Sequence, residues 1–191
     1  RASLVEPFTV FPPFGSPNER DLWKWMQAYE DKTGGDVLAI PHNGNVSNAR
    51  MFPLIEFFTK KPVDRSYAET RNKWEHLYEV TQMKGDGETL PALSPNDEFA
   101  NFERWDRGSF GTGTHSPAML PREYAREAYK RGLQYEQKLG ANPFKFGMVG
   151  STDSHTGLST ADEDNFFGKH AGTEPNAARS EHAVGCFGDN C

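Results

Sequence analysis

Cysteine is nearly absent from this chain. Its two copies, Cys186 and Cys191, both fall in the final stretch Gly185-Cys186-Phe187-Gly188-Asp189-Asn190-Cys191. Thiols so placed make neither a zinc ribbon nor a disulfide framework; they read as ordinary thiols of a terminal tail and say little about compartment. Long hydrophobic runs are missing too. None approaches the roughly 20 residues of a membrane-spanning helix, and no secretory leader is visible. Basic charge is also short: 21 lysines and arginines face 27 aspartates and glutamates, a formal charge of -6. Phosphate neutralisation on a nucleic acid needs a basic face, so neither nucleic acid nor membrane is an expected partner. The chain begins at Arg1 rather than methionine, which leaves cytoplasmic and exported (periplasmic) locations both open.

What is present suits one globular, loop-rich domain. A length of 191 residues is enough for a core. Residues 1–15 read as a proline-interrupted arm anchored by Phe8, Phe11 and Phe14. Ser16-Pro17-Asn18-Glu19 has the spacing of a capping box with proline at the first helical position. Leu22, Trp25, Met26 and Tyr29 follow at helical spacing as core residues, and Gly34-Gly35 ends the helix. Asp36 to Ile40 then predicts a buried strand that delivers His42.

The pattern repeats. Ser66-Tyr67-Ala68-Glu69 caps a helix running through Trp74, and Leu77 to Gln82 predicts the next strand. Residues 83–119, rich in Gly, Pro, Asn and Asp, form a long loop or insertion of the kind that carries function. A third helix opens at Pro121, runs with Ala125, Ala128, Tyr129, Leu133 and Leu139, and stops at Gly140. Its strand is Phe144 to Val149, followed at once by Asp153 and His155. Ser159 or Thr160 caps a short acidic helix with Asp162, Glu163 and Asp164, and residues 170–191 make a polar tail. Three helix–strand units in series predict an α/β fold with parallel strands and helices outside. A whole TIM-type barrel takes about 250 residues, so the expectation is part of one.

Three strings carry the chemistry: Ile40-Pro41-His42-Asn43-Gly44-Asn45, Leu77-Tyr78-Glu79-Val80-Thr81, and Gly150-Ser151-Thr152-Asp153-Ser154-His155. Imidazole and carboxylate suit zinc, manganese or iron. In extended backbone alternate residues face the same way, so Asp153 and His155 would share a cavity at a strand end. A metal there lowers the pKa of bound water towards neutrality. The plainer readings are a solvated turn for Asp-x-His and a turn histidine satisfied by backbone carbonyls for His42. Glu79 lies within an apolar strand, where a carboxylate needs a metal, an arginine or hydrogen-bond donors. Asn43, Asn45 and Gln82 are candidates to orient ligands or substrate, and Lys84 to face an anionic group. Of the other histidines, His76 reads as a surface residue near a helix end, His115 as part of a loop that could cover a site, and His170 and His182 as tail residues.

At these strings the chain resembles a bacterial family of unknown function, DUF3604, related to the PHP-type (polymerase and histidinol phosphatase) metallohydrolases. The likeness rests on Val37 to Asn45 (VLAIPHNGN), Glu79 to Gly85 (EVTQMKG), Leu93 to Phe99 (LSPNDEF), Pro121 to Gly132 (PREYAREAYKRG) and Asn142 to Lys169 (NPFKFGMVGSTDSHTGLSTADEDNFFGK). The resemblance implies a distorted (β/α) barrel with two or three metals at its C-terminal face. It makes His42 the strand-end histidine, Asp153 and His155 the final Asp-x-His, and Glu79 a less regular acidic ligand. The implied activity is metal-dependent hydrolysis of a small anionic ester, such as a phosphate ester. Such proteins open with a His-x-His string and a bridging acid, and neither occurs here. The chain is therefore expected to be the later portion of such a protein, weak or inactive alone; the alternative is a folded, non-catalytic piece that binds at most one metal.

Overall fold

Asn18, not Ser16, opens the first helix. In this computed structural model, which describes residues 16–106 and 115–155, α1 spans Glu19–Thr33. The Asn18 side chain accepts from the Arg20 N–H at 3.1 Å. Ser16 stands two residues earlier, where its Oγ accepts from the Asn18 N–H and donates to Asp21. The capping chemistry is thus as expected, but its register is shifted. Gly34 closes the helix in the left-handed region, φ 66°, with its N–H on the Glu30 carbonyl. A second shift occurs at α2, Arg65–Trp74: Asp64 caps it by accepting from the Tyr67 N–H at 2.8 Å, and Ser66 lies inside the first turn.

α1 and α2 bury Trp23, Met26, Val63, Tyr67 and Trp74 together. Trp23 and Tyr67 meet edge to face with centroids 5.3 Å apart. The Trp23 indole N–H is satisfied by Glu75 Oε1 at 2.9 Å. Trp23, rather than Trp25, is therefore the inward tryptophan of α1; Trp25 only flanks the cluster.

The sheet has three strands, β1 (Leu77–Gln82), β2 (Gly85–Asp86) and β3 (Gly147–Gly150), in the order β2-β1-β3. β1 and β2 are antiparallel, with Thr81 opposite Asp86 and Gln82 opposite Gly85. β1 and β3 are parallel, Leu77 opposite Gly147 and Glu79 opposite Val149, with an irregularity before Thr81 meets Gly150. α3 (Ala125–Leu139) precedes β3 and ends at left-handed Gly140. Ala125 and Ala128 of α3 pack with Phe52, Tyr78 and Phe144 into a second core cluster, in which Phe52 contacts Tyr78 and Phe144 edge to face.

This sheet overturns the expected TIM-type barrel: it is small, mixed and open. A barrel needs successive parallel strands that close on themselves, and only β1 and β3 pair in parallel here. The segment 36–40 is the decisive difference. Its Ala39 N–H bonds Trp74 O at the end of α2, and the main chain reaches β1 only just beyond the segment, through the Glu79 N–H on Pro41 O, both at 2.9 Å. Leu38 and Ile40 are exposed, so the segment is no buried strand. β3 is also shorter than the expected 144–149, because Phe144 is turned into the core and its N–H is taken by the Asn142 side chain. Pro121 sits in a 3₁₀ turn, Pro117–Arg122, ahead of α3 instead of starting it. Leu133 of α3 is 66% exposed.

Residues 83–106 and 115–119 of the expected long loop contain β2 and turns. The aromatic arm at Phe8, Phe11 and Phe14, the acidic helix at 162–164, the tail 170–191 and both cysteines lie outside the described residues.

Candidate functional site

Because β1 and β3 run in parallel, their C-terminal ends lie side by side, joined by the Ser151 N–H donating to Thr81 O at 3.1 Å. β1 turns through Met83-Lys84 into β2, which aims Lys84 across the strand ends. β3 runs on to Asp153. There the Lys84 ammonium forms an ion pair with Asp153 Oδ2, and His155 Nε2 meets Asp153 Oδ1 at 3.1 Å. Lys84 and Asp153 are largely shielded from water, whereas His155 is exposed. On an extended backbone Asp153 and His155 are expected to face the same side. They do meet, but through a turn: Asp153 is left-handed, φ 54°.

The turn 42–49 supports this cluster from behind. Asn45 is 2% exposed and donates both amide hydrogens, to Lys84 O at 2.9 Å and Trp105 O at 2.8 Å. Gln82 is buried and accepts from the Lys84 N–H through Oε1 at 3.1 Å. These two expected substrate contacts therefore hold the backbone around Lys84. Asn43 is left-handed, φ 61°, and its Oδ1 is buried without a hydrogen-bond partner among the described residues. Glu79 shows the same feature at Oε1. An orphaned buried acceptor costs about 1–3 kcal/mol, so both oxygens are places where a ligand's donor or a cation would be favourable.

His42 is exposed. It lines a cleft of about 510 Å³ together with Leu22, Ile40, Asn43, Arg50 and Arg71, and Asp153 and His155 do not line it. Among the described residues no group of three or more His, Cys, Asp and Glu is placed to hold a metal. The expected ligands thus divide: Asp153 and His155 are together, while His42 is in the cleft. As a test of fit, Asp153 and His155 supply a carboxylate and an imidazole of the right chemistry for one divalent ion, and the Glu79 oxygen is an unsatisfied donor atom on the neighbouring strand. Lys84 is the cation already compensating Asp153, so an ion bound there would compete with it.

A histidine given little weight in the sequence proves to be anchored. His115 Nε2 bonds Glu123 Oε2 at 2.8 Å, and Glu123 Oε1 accepts from the Ala49 N–H at 3.0 Å. Glu123 is completely buried and so pins the strained end of the turn 42–49, where Asn48 and Ala49 both have positive φ. No local sequence signal distinguishes Glu123 from the other charged residues around α3. Nearby Asp86 has its carboxyl pushed up by burial, against the pull of the Thr89 and Glu88 N–H groups.

The structure defines a small α/β domain with a carboxylate, an imidazole and an ammonium meeting at the ends of two parallel strands. The family described as protein of unknown function (DUF3604) matches residues 1–186, and the chain belongs to that family. No curated protein and no solved structure matches it.

Proposed function

We propose that the protein is a metal-dependent hydrolase of the PHP type, acting on a phosphate ester or a similar anionic ester. The observation that carries this reading is the meeting of Lys84, Asp153 and His155 at the adjoining ends of β1 and β3. In this reading Asp153 and His155 hold zinc, manganese or iron; Glu79 keeps an unsatisfied oxygen but is not grouped with them among the described residues. His42 joins them through the family resemblance alone. A bound divalent ion supplies hydroxide as a nucleophile near neutral pH.

The chain's own groups do the rest. Lys84 exchanges its contact with Asp153 for the anionic oxygens of the ester, as a compact point charge. Asn45 and Gln82 fix the Lys84 backbone, so the ammonium is positioned before substrate arrives. No His-x-His string occurs in the 191 residues, and on this reading full turnover draws that string from a longer polypeptide.

The test is a panel of phosphate esters assayed with added manganese or zinc, comparing the chain, an upstream-extended polypeptide and the His155→Ala variant of each. Metal-dependent hydrolysis, higher in the extended form and lost in His155→Ala, is the expected outcome. Absence of metal-dependent hydrolysis in both forms counts against the reading.

A second reading is favoured by the lack of a three-ligand group among the described residues. It makes the chain a non-catalytic domain that binds at most one ion. Stoichiometric metal binding without turnover in either form would select it.

A further inference from the structure

The hairpin at residues 54–63 has no part in the proposed chemistry, yet it is built with care. Ile55 and Pro62 bridge antiparallel. The Val63 N–H bonds Leu54 O at 3.0 Å, the Glu56 N–H bonds Lys61 O at 2.9 Å, and the Lys60 N–H bonds Glu56 O at 3.0 Å. Lys60 takes the positive φ that closes the turn. The start of the turn is clamped to α1: Arg20 Nε and Nη2 grip the two oxygens of Glu56 at 2.6 and 2.9 Å. This is a braced projection, held by the main chain and by an ion pair.

Its side chains run against the usual rule for a water-facing turn. Leu54 is 43% exposed, Ile55 57%, Phe57 40% and Phe58 37%. A single exposed apolar residue needs no explanation, but four lie on this one small hairpin. Phe57 and Phe58 pack edge to face at 5.0 Å, so the tip is one aromatic knob. Cations gather on it. The Arg50 guanidinium lies 3.7 Å from the Phe57 centroid and Lys60 Nζ lies 4.2 Å from it, with exposed Lys61 adjacent. Glu56 is the one acid between residues 50 and 63, and it is buried and bound to Arg20. The next acid, Asp64, is occupied at the root as the cap of α2.

We propose that this hairpin docks the protein on an anionic lipid surface. Aromatic and aliphatic side chains at a rigid tip enter the headgroup boundary, while lysine and arginine keep their charges among the anionic headgroups and lay their stems along the apolar surface. Charge decides between occupants. A second copy of this chain, meeting patch to patch, would set Arg50, Lys60 and Lys61 against their own counterparts. The formal charge of the whole chain is -6, so an anionic surface repels most of the molecule and attracts this tip, which fixes the orientation of docking. No helix among the described residues is long and apolar enough to cross a membrane, and a peripheral contact of this kind requires none. The inference is independent of the hydrolase reading.

The experiment is cosedimentation of the full chain with vesicles of equimolar phosphatidylglycerol and phosphatidylcholine, beside vesicles of phosphatidylcholine alone. Two variants, Phe57→Ser/Phe58→Ser and Lys60→Glu/Lys61→Glu, alter only exposed positions; circular dichroism confirms their fold, and sedimentation velocity reports self-association. Binding to the anionic vesicles should exceed that to neutral ones and fall about tenfold or more in each variant. Absent binding to anionic vesicles, equal binding to both kinds, or variants that bind like the parent would overturn the proposal. So would self-association that both variants abolish without vesicle binding, since the patch would then belong to a protein contact.

Discussion

The Asn45 side chain bridges two backbone carbonyls, Lys84 O at 2.9 Å and Trp105 O at 2.8 Å, from a fully enclosed position. It joins the turn 42–49 to the turn that carries Lys84, and so sets where the ammonium meets Asp153.

Replacing that amide should show its structural weight. Asn45→Ala leaves two carbonyls without their donor, and the expected loss is about 2 kcal/mol. Urea denaturation, followed by circular dichroism, measures it. Asn45→Asp should be worse, because a carboxylate would face the same two carbonyl oxygens without hydrogens to donate. An Asn45→Ala midpoint equal to the parent's would show that water replaces the amide at no cost.

Gly87 and Tyr78 form a second testable pair. A Cβ on Gly87 would collide with the Tyr78 hydroxyl and lie 3.1 Å from the Val80 carbonyl. Tyr78 is enclosed in the second core cluster and has no room to swing away. Gly87→Ala should therefore cost about 1–3 kcal/mol. Adding Tyr78→Phe removes the colliding oxygen and should return part of that loss, so a double-mutant cycle would be non-additive. Additive effects in the cycle would mean that the hydroxyl is not the obstacle.

Asp86 gives a pH dependence with a definite sign. Burial raises its carboxyl above the ordinary value of 3.8. The native state therefore holds this proton to higher pH than the unfolded chain does. Its contribution to stability is fully present below the unfolded value and is lost as pH rises through the raised native one. Asp86→Asn stays neutral and keeps an acceptor oxygen for the Glu88 and Thr89 N–H groups. The variant should be more stable than the parent at neutral pH, with the advantage shrinking as pH falls towards 3.8. Paired urea titrations across that range check the sign. An advantage that grows on acidification would reverse the account of this residue.

Local order was legible in the sequence where one residue type dictates a local geometry. Gly34 and Gly140 end their helices as left-handed caps, as a glycine at that position does. β1 has the predicted bounds, Leu77–Gln82, since an apolar run with a single acid leaves little choice of register. Caps were less legible. Ser16 and Asn18 both accept backbone hydrogens, and sequence alone does not say which of two good caps wins. Spacing from Leu22 selects Trp25, but helix spacing fixes a stripe and the packing partner fixes which edge faces in. The barrel failed for a tertiary reason. Asp36 to Ile40 has the composition of a strand, yet the main-chain bond to β1 comes only from Pro41, just beyond it. In the site, type and spacing bring Asp153 and His155 to one place, although no pattern announces the left-handed Asp153 that unites them. The anchoring of His115 by Glu123 depends on a contact that no local pattern announces.

The central claim, that Asp153 and His155 form a divalent-ion site in which Lys84 is the competing cation, is tested most directly by calorimetric titration of the chain with zinc. The His155→Ala and Lys84→Met variants are titrated beside it. The account predicts one ion per chain, bound more weakly by His155→Ala for want of a ligand and more tightly by Lys84→Met, because the ammonium no longer competes with the ion for Asp153 Oδ2. No binding in the parent, or the same affinity in all three proteins, would contradict it.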